Sequence, residues 1–146
     1  MIKLKVLAII PARSGSKGLL HKNIRNLGKH PLFSYSIAAA AICKNIDRVI
    51  VTTDSPEYAN IALKYGAEVP FLRPVSLARD TSTDDEFFAH AYDWLKINEY
   101  YCPDLVVHLR PTTPLREVGI IESAVAYMEK NGDATSLRSA YKTHLT

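Results

Sequence analysis

Residues 11–23, Pro-Ala-Arg-Ser-Gly-Ser-Lys-Gly-Leu-Leu-His-Lys-Asn, carry the side chains best suited to chemistry. Gly15 and Gly18 let the backbone come close to a ligand, and successive amides in such a loop can form an anion-binding nest. Ser14 and Ser16 add hydroxyls, while Arg13, Lys17 and Lys22 add positive charge. Together these groups suit a polyphosphate. The loop has neither the Walker A spacing GxxxxGK[ST] nor the dinucleotide fingerprint GxGxxG, so both are set aside. A solvated basic surface loop has the same composition, and on this segment alone the two readings stand side by side.

The charge layout favours an anionic partner. The 146 residues hold 18 Lys+Arg and 15 Asp+Glu, a formal net charge of +3. Residues 1–46 contain eight basic residues and no acid, and the other hundred carry ten basic against fifteen acidic residues, a net −5. A one-sided basic segment points to an anionic ligand. A nucleic-acid role needs a broader basic face with aromatic stacking, and the −5 balance argues against it.

With 47% hydrophobic and 23% charged residues, the composition is that of a globular protein. The length suits one domain over residues 1–146, burying roughly 70% of its unfolded surface. The apolar run at residues 6–10 is too short for a signal-peptide core or a membrane span, so a cytoplasmic protein with no membrane role is expected. Cys43 and Cys102 match no metal or redox spacing and read as free thiols.

The elements that must position the loop follow from the apolar patterning. Residues 5–10, 48–53 and 104–109 read as strands, 68–72 as a weaker one, and 134–137 as the start of a fifth. Near-continuous apolar strands suit a parallel sheet covered on both faces. Pro31 is placed to open a helix over 32–43 at its first position, and Ser55 to cap one over 56–65 that Gly66 ends. Residues 83–100 show Phe88, Tyr92 and Leu95 on one face, with Asp84, Asp85 and Glu86 in the first turn. A fourth helix over 118–130 carries Ile121, Ala124, Val125 and Met128 and stops before Gly132. The alternation predicts an α/β fold, Rossmann-like, with a mostly parallel sheet and helices on both faces. Ligands of such sheets sit beyond the carboxyl ends of the strands, which makes the loops at 11–28, 53–55, 73–83 and 110–116 the ones of interest.

Here a family resemblance emerges. The run IIPARSGSKG, followed by LLHKN, resembles the signature of the acylneuraminate cytidylyltransferases, the CMP-sialic acid synthetases. VIVTTD at 49–54, YGAEVPFLRPVSLARDTST at 65–83 and LVVHLRPTTPLR at 105–116 resemble further family segments in the same order. The resemblance implies a nucleotide-diphospho-sugar transferase type of fold. It also implies a reaction of CTP with an acidic nine-carbon α-keto sugar, sialic acid or a related nonulosonic acid, giving CMP-sugar and pyrophosphate with help from Mg2+. Transferred by position, it makes Arg13, Lys17 and Lys22 the catalytic cations that hold the triphosphate and stabilise the leaving pyrophosphate. Ser16, Asn23 and Arg73 join them around the nucleotide, although Arg73 also reads as an exposed arginine in a proline turn. Arg110 and Thr112 are placed at the sugar.

The resemblance has departures. Arg110 stands where the family often has glutamine; it either pairs with a carboxylate of a differently decorated acidic sugar or reaches solvent at a strand end. Asp84 aligns with a family serine and reads more simply as the start of a helix. Asp54 reads as a cap of the next helix, not a metal ligand. Family members are longer, and their paired metal-binding aspartates lie in a segment corresponding to residues after Thr146, so the chain is expected to be C-terminally truncated, with no metal ligand of its own. A non-catalytic CTP-binding fragment, or a transferase for another acidic sugar or nucleotide, therefore remains an alternative. Residues 141–146 resemble the start of the arm through which full-length members form homodimers. The five histidines make no metal-binding pair, and His108, inside an apolar strand, reads as a satisfied buried histidine.

Overall fold

The computed structural model describes residues 3–140. The arm expected at 141–146 lies outside the described residues. β1 (Val6–Pro11) is the central strand of a parallel sheet of order β4-β1-β5, with β4 at Arg48–Thr52 and β5 at Leu105–His108. Leu7 pairs with Arg48 on one side and with Val106 on the other. Between β1 and β4 lie a two-residue hairpin, β2 (Asn26–Leu27) and β3 (His30–Pro31), and α1 (Leu32–Ile42). Gly28 turns the hairpin at φ +64, a conformation that a side chain would strain. α2 (Pro56–Lys64) follows β4, α3 (Asp84–Glu99) precedes β5, and α4 (Val118–Lys130) follows it.

Both faces of β1 are fully covered, which explains its unbroken apolar sequence. Ala8 and Ile10 pack with Phe33 and Ile37 of α1, Tyr58 and Ala62 of α2 and Ile121 of α4. Leu7 and Ile9, with Ile50 of β4, pack against Phe71 and against Phe87, Ala91 and Leu95 of α3. The helices lie on both faces, as the patterning predicts. Leu95 is fully buried, and Leu95→Ala is expected to cost ~2–5 kcal/mol. Urea denaturation checks this; a loss under about 1 kcal/mol would mean that α3 does not seal its face of the sheet.

Several sequence expectations need correction. Pro31 is the cap residue before α1, in extended geometry, and not its first residue. The weak strand at 68–72 reduces to one bridge between Glu68 and Ile50, because Pro70 has no N–H to continue the ladder. Residues 134–137 form no strand and lie largely exposed, with no neighbouring strand to pair with among the described residues. On α3 the face turned to the sheet is Phe87, Ala91 and Leu95, while Tyr92 stays 39% exposed. Phe87 and Phe88 give either face an aromatic, and the small Ala91 lets the helix close on the strands. Other features match. The Ser55 hydroxyl accepts the Tyr58 amide, Gly66 takes φ +88 after α2, and Thr83 N–H donates to the Glu86 carboxylate at 2.7 Å at the start of α3.

No helix is long and apolar enough to cross a membrane among the described residues. The chain passes from β1 to β4 on one side and only later reaches β5 on the other. The crevice at the carboxyl ends of β1 and β5 is therefore the switch point at which sheets of this kind take ligands.

Candidate functional site

The loop after β1 is pinned at several points. Asp54, just beyond β4, accepts the Ser14 amide at 2.8 Å and the Ser14 hydroxyl at 2.6 Å. Ala12 N–H donates to the Thr52 carbonyl at 3.0 Å. Asn23, only 6% exposed, donates its side-chain amide to the Arg13 carbonyl at 3.1 Å. His21 adopts the left-handed conformation at the start of a single 3-10 turn, and its Nδ1 lies 3.1 Å from the hydroxyl of the buried Tyr58. Asp54 thus does not cap α2, a task that Ser55 performs. It fixes the loop. A Cβ at Gly15 or Gly18 would meet no atom within 4 Å, so protein packing does not demand glycine at either position.

This loop borders an open cleft of about 400 Å³ at the crevice between β1 and β5. The eight residues assigned to the nucleotide and the sugar line it, namely Arg13, Ser16, Lys17, Lys22, Asn23, Arg73, Arg110 and Thr112, whereas Ser14 turns its hydroxyl to Asp54. They come from three loops far apart in the chain. The structure adds Arg79, Asp80, Asp84 and Phe87 to the lining. The walls therefore carry six cations (Arg13, Lys17, Lys22, Arg73, Arg79, Arg110) against two carboxylates. Such a surplus in a concave, partly desolvated space focuses positive potential on whatever enters it.

Arg73 is not the exposed residue that a proline turn would allow. It is 4% exposed, donates to the Thr52 carbonyl at 2.6 Å and the Leu77 carbonyl at 3.4 Å, and lies 5.0 Å above the Phe87 ring. Its Nε is buried without a partner among the described residues. Burial pushes its pKa down to about 10, with nearby Asp54 pulling it back and Arg13 adding to the fall.

On the opposite wall, Arg110 pairs with Asp84, a partner that neither of its sequence readings named. Arg116 holds this loop from behind. Its guanidinium donates to the buried Ser36 hydroxyl at 2.8 Å and to the Arg110 carbonyl at 2.6 Å, and burial lowers its pKa. His108 differs from expectation, since its buried Nε2 has no hydrogen-bond partner and its Nδ1 is 3.9 Å from Asp84. Burial between Phe87 and Phe88 lowers its pKa, and Asp84 only partly opposes this.

Sequence reasoning missed Asp80, Arg79 and Arg116. Asp80 bonds Arg13 at 2.6 Å and Lys17 at 2.8 Å, one carboxylate oxygen to each. These cations hold its carboxyl below the usual range. Asp80 lies inside the segment 65–83 that carries the resemblance, but nothing in its spacing reveals a partner some sixty residues earlier. The cleft does not fit a metal ion through this chain's described residues. No group of three or more His, Cys, Asp or Glu is placed to hold one, and both cleft carboxylates are engaged by cations.

A sequence model of the cytidylyltransferases matches residues 7–145. The chain belongs to the cytidylyltransferase family. It is 43% identical over 127 residues to N-acylneuraminate cytidylyltransferase of Escherichia coli O18:K1:H7, covering 86% of this chain and 29% of that protein. It is 37% identical over 130 residues to CMP-N,N'-diacetyllegionaminic acid synthase of Legionella pneumophila, covering 88% and 55%. The chain thus spans between about a third and about a half of the length of these relatives. Among solved structures, CMP:2-keto-3-deoxy-manno-octonic acid synthetase complexed with CTP superposes with a TM-score of 0.72 at 18% identity, covering 88% of this chain and 48% of that one. At that identity the likeness concerns the fold, and it agrees with the nucleotidyltransferase type that the sequence implies.

Proposed function

We propose that the cleft binds the triphosphate of CTP and serves transfer of its cytidylyl group to an acidic nine-carbon sugar, giving CMP-sugar and pyrophosphate. The observation that carries this is the convergence of Arg13, Lys17 and Lys22 with Arg73, Arg110 and Thr112 on one cleft at the β1–β5 crevice. The named activities of the relatives support the cytidylyl group and an acidic nonulosonic acid as the reacting pair. The anomeric oxygen of the sugar would form a bond to the α-phosphorus as its hydroxyl proton passes to solvent, while the bond from that phosphorus to the α–β bridging oxygen breaks. Negative charge then grows on the departing pyrophosphate. Arg13, Lys17 and Lys22 oppose that growth, and catalysis of this kind rests on positioning and preorganised charge. Ser16 and Asn23 border the same stretch of cleft and order the loop around the nucleotide. Arg110, held by Asp84 and anchored through Arg116, would meet the sugar with Thr112.

Magnesium has no fitted carboxylate cluster among the described residues. That same observation favours a second reading, in which this chain binds CTP without turning it over. An assay of pyrophosphate release with CTP, UTP, ATP or GTP against several nonulosonic acids separates them. CTP-dependent release with one acid supports transfer by this chain. CTP binding without release supports the second reading, and the absence of both overturns the two together.

A further inference from the structure

Two of the three cations assigned to the triphosphate have a carboxylate partner within the chain. The Asp80 carboxylate takes Arg13 with one oxygen and Lys17 with the other, at 2.6 and 2.8 Å. Arg13 and Asp80 are each about a third exposed, and Lys17 is 82% exposed, so the contact faces the opening of the cleft and not its floor. Asp80 lies in the segment between the 3-10 turn Val75–Leu77 and α3, held by a Ser82 hydroxyl that accepts the Arg79 amide at 3.1 Å. That segment has no ladder bonds to the sheet in the stretch 79–82, and it is hinged on short local contacts. Lys22 has no carboxylate partner among the described residues, so the competition is confined to Arg13 and Lys17.

We infer that Asp80 is an internal counter-ion, which sets the affinity of the cleft for polyphosphate by competing with it for Arg13 and Lys17. This rests on the reading of the cleft as a polyphosphate site. A carboxylate that close to phosphate oxygens is repelled by them, and both cannot hold the same two donors at full strength. The arriving polyphosphate displaces Asp80. As pyrophosphate leaves, Asp80 returns to the two cations, keeps them ordered, and lowers the retention of the anionic product. Charge alone does not require this arrangement, since a carboxylate elsewhere on the surface would lower the net charge equally without occupying the donors.

The test is calorimetric titration of the 146-residue chain with inorganic pyrophosphate, without added metal, at one moderate ionic strength. Asp80→Asn keeps the shape of the side chain and removes its charge, and Asp80→Ala removes both. Glu129→Gln, at the exposed end of α4, changes the net charge by the same amount away from the cleft. The expected result is a roughly three- to tenfold tighter dissociation constant for both Asp80 variants, the size expected when exposed ion pairs are released, and under about 1.5-fold for Glu129→Gln. Equal or weaker binding by both Asp80 variants overturns the inference and makes Asp80 a residue that orients the cations in the bound state. Equal tightening by Glu129→Gln also overturns it, leaving only a long-range field. If no form binds, the polyphosphate reading itself fails and takes the inference with it.

Discussion

Lys22→Ala is expected to weaken CTP binding by about 10- to 100-fold, while His108→Gln changes it by less than about twofold. A hydrogen bond to a charged group is worth roughly 1.5–3 kcal/mol, which corresponds to that range. Lys22 lines the cleft and has no carboxylate partner among the described residues, so its charge is undivided. Arg13 and Lys17 share theirs with Asp80, and each single truncation there is expected to show less. His108 sits beside the cleft but faces Phe87 and Phe88, with burial favouring its neutral form. It contributes no charge for a phosphate to meet. Titration of the two variants in parallel checks the contrast, and equal losses would mean that the loop at 11–23 is not where the triphosphate binds.

The second large effect concerns Arg73 and separates stability from binding. A cation whose folded pKa falls from its ordinary value to about 10 is disfavoured by its surroundings, by an amount of order 3 kcal/mol. The sign is decisive. The unfolded chain holds the proton more tightly than the folded one, so the charge opposes folding, and it does so at every pH below about 9, where both states stay protonated. Arg73→Leu removes this cost together with the bonds to the Thr52 and Leu77 carbonyls, the former of which keeps a second donor in Ala12. The two changes are expected to leave unfolding free energy within about 1 kcal/mol of wild type. CTP binding, in contrast, is expected to fall by about 10- to 100-fold, because an entering polyphosphate supplies the counter-charge that buried Arg73 lacks. Urea denaturation and CTP titration of the same variant check both halves. A loss above about 3 kcal/mol with unchanged CTP affinity would make Arg73 a purely structural residue.

The sequence discloses the fold where patterning is redundant and misleads where a single residue decides. The uninterrupted apolar run of β1 can only be a strand covered on both faces, and the buried sets Ala8/Ile10 and Leu7/Ile9 show why. Pro70 ends the expected strand at 68–72 after one bridge, a local veto that β-propensity alone does not register. The face of α3 is ambiguous in sequence because Phe87 and Phe88 are adjacent, and only the fit of Ala91 against the sheet selects between them.

The site is legible to a similar extent. The residues assigned to the nucleotide and the sugar in the loops at 11–23, 73 and 110–112 line one cleft, because the ligand position of a parallel sheet follows from its topology. What stayed hidden were pairings across distance. Asp54 with Ser14, Asp80 with Arg13 and Lys17, Asp84 with Arg110, and Arg116 with Ser36 all join residues 26 to 80 positions apart. No periodicity encodes such contacts. They arise when separate loops meet at one end of the sheet, and they decide which of the basic residues reach a ligand unopposed.

We place the triphosphate of CTP at the basic loop after β1. Calorimetric titration of the 146-residue chain with CTP, repeated in the presence of saturating pyrophosphate, tests it most directly. The expected result is one CTP per chain, with the heat suppressed by pyrophosphate because both ligands need Arg13, Lys17 and Lys22. Absence of CTP binding, or CTP binding that pyrophosphate leaves unchanged, would contradict it.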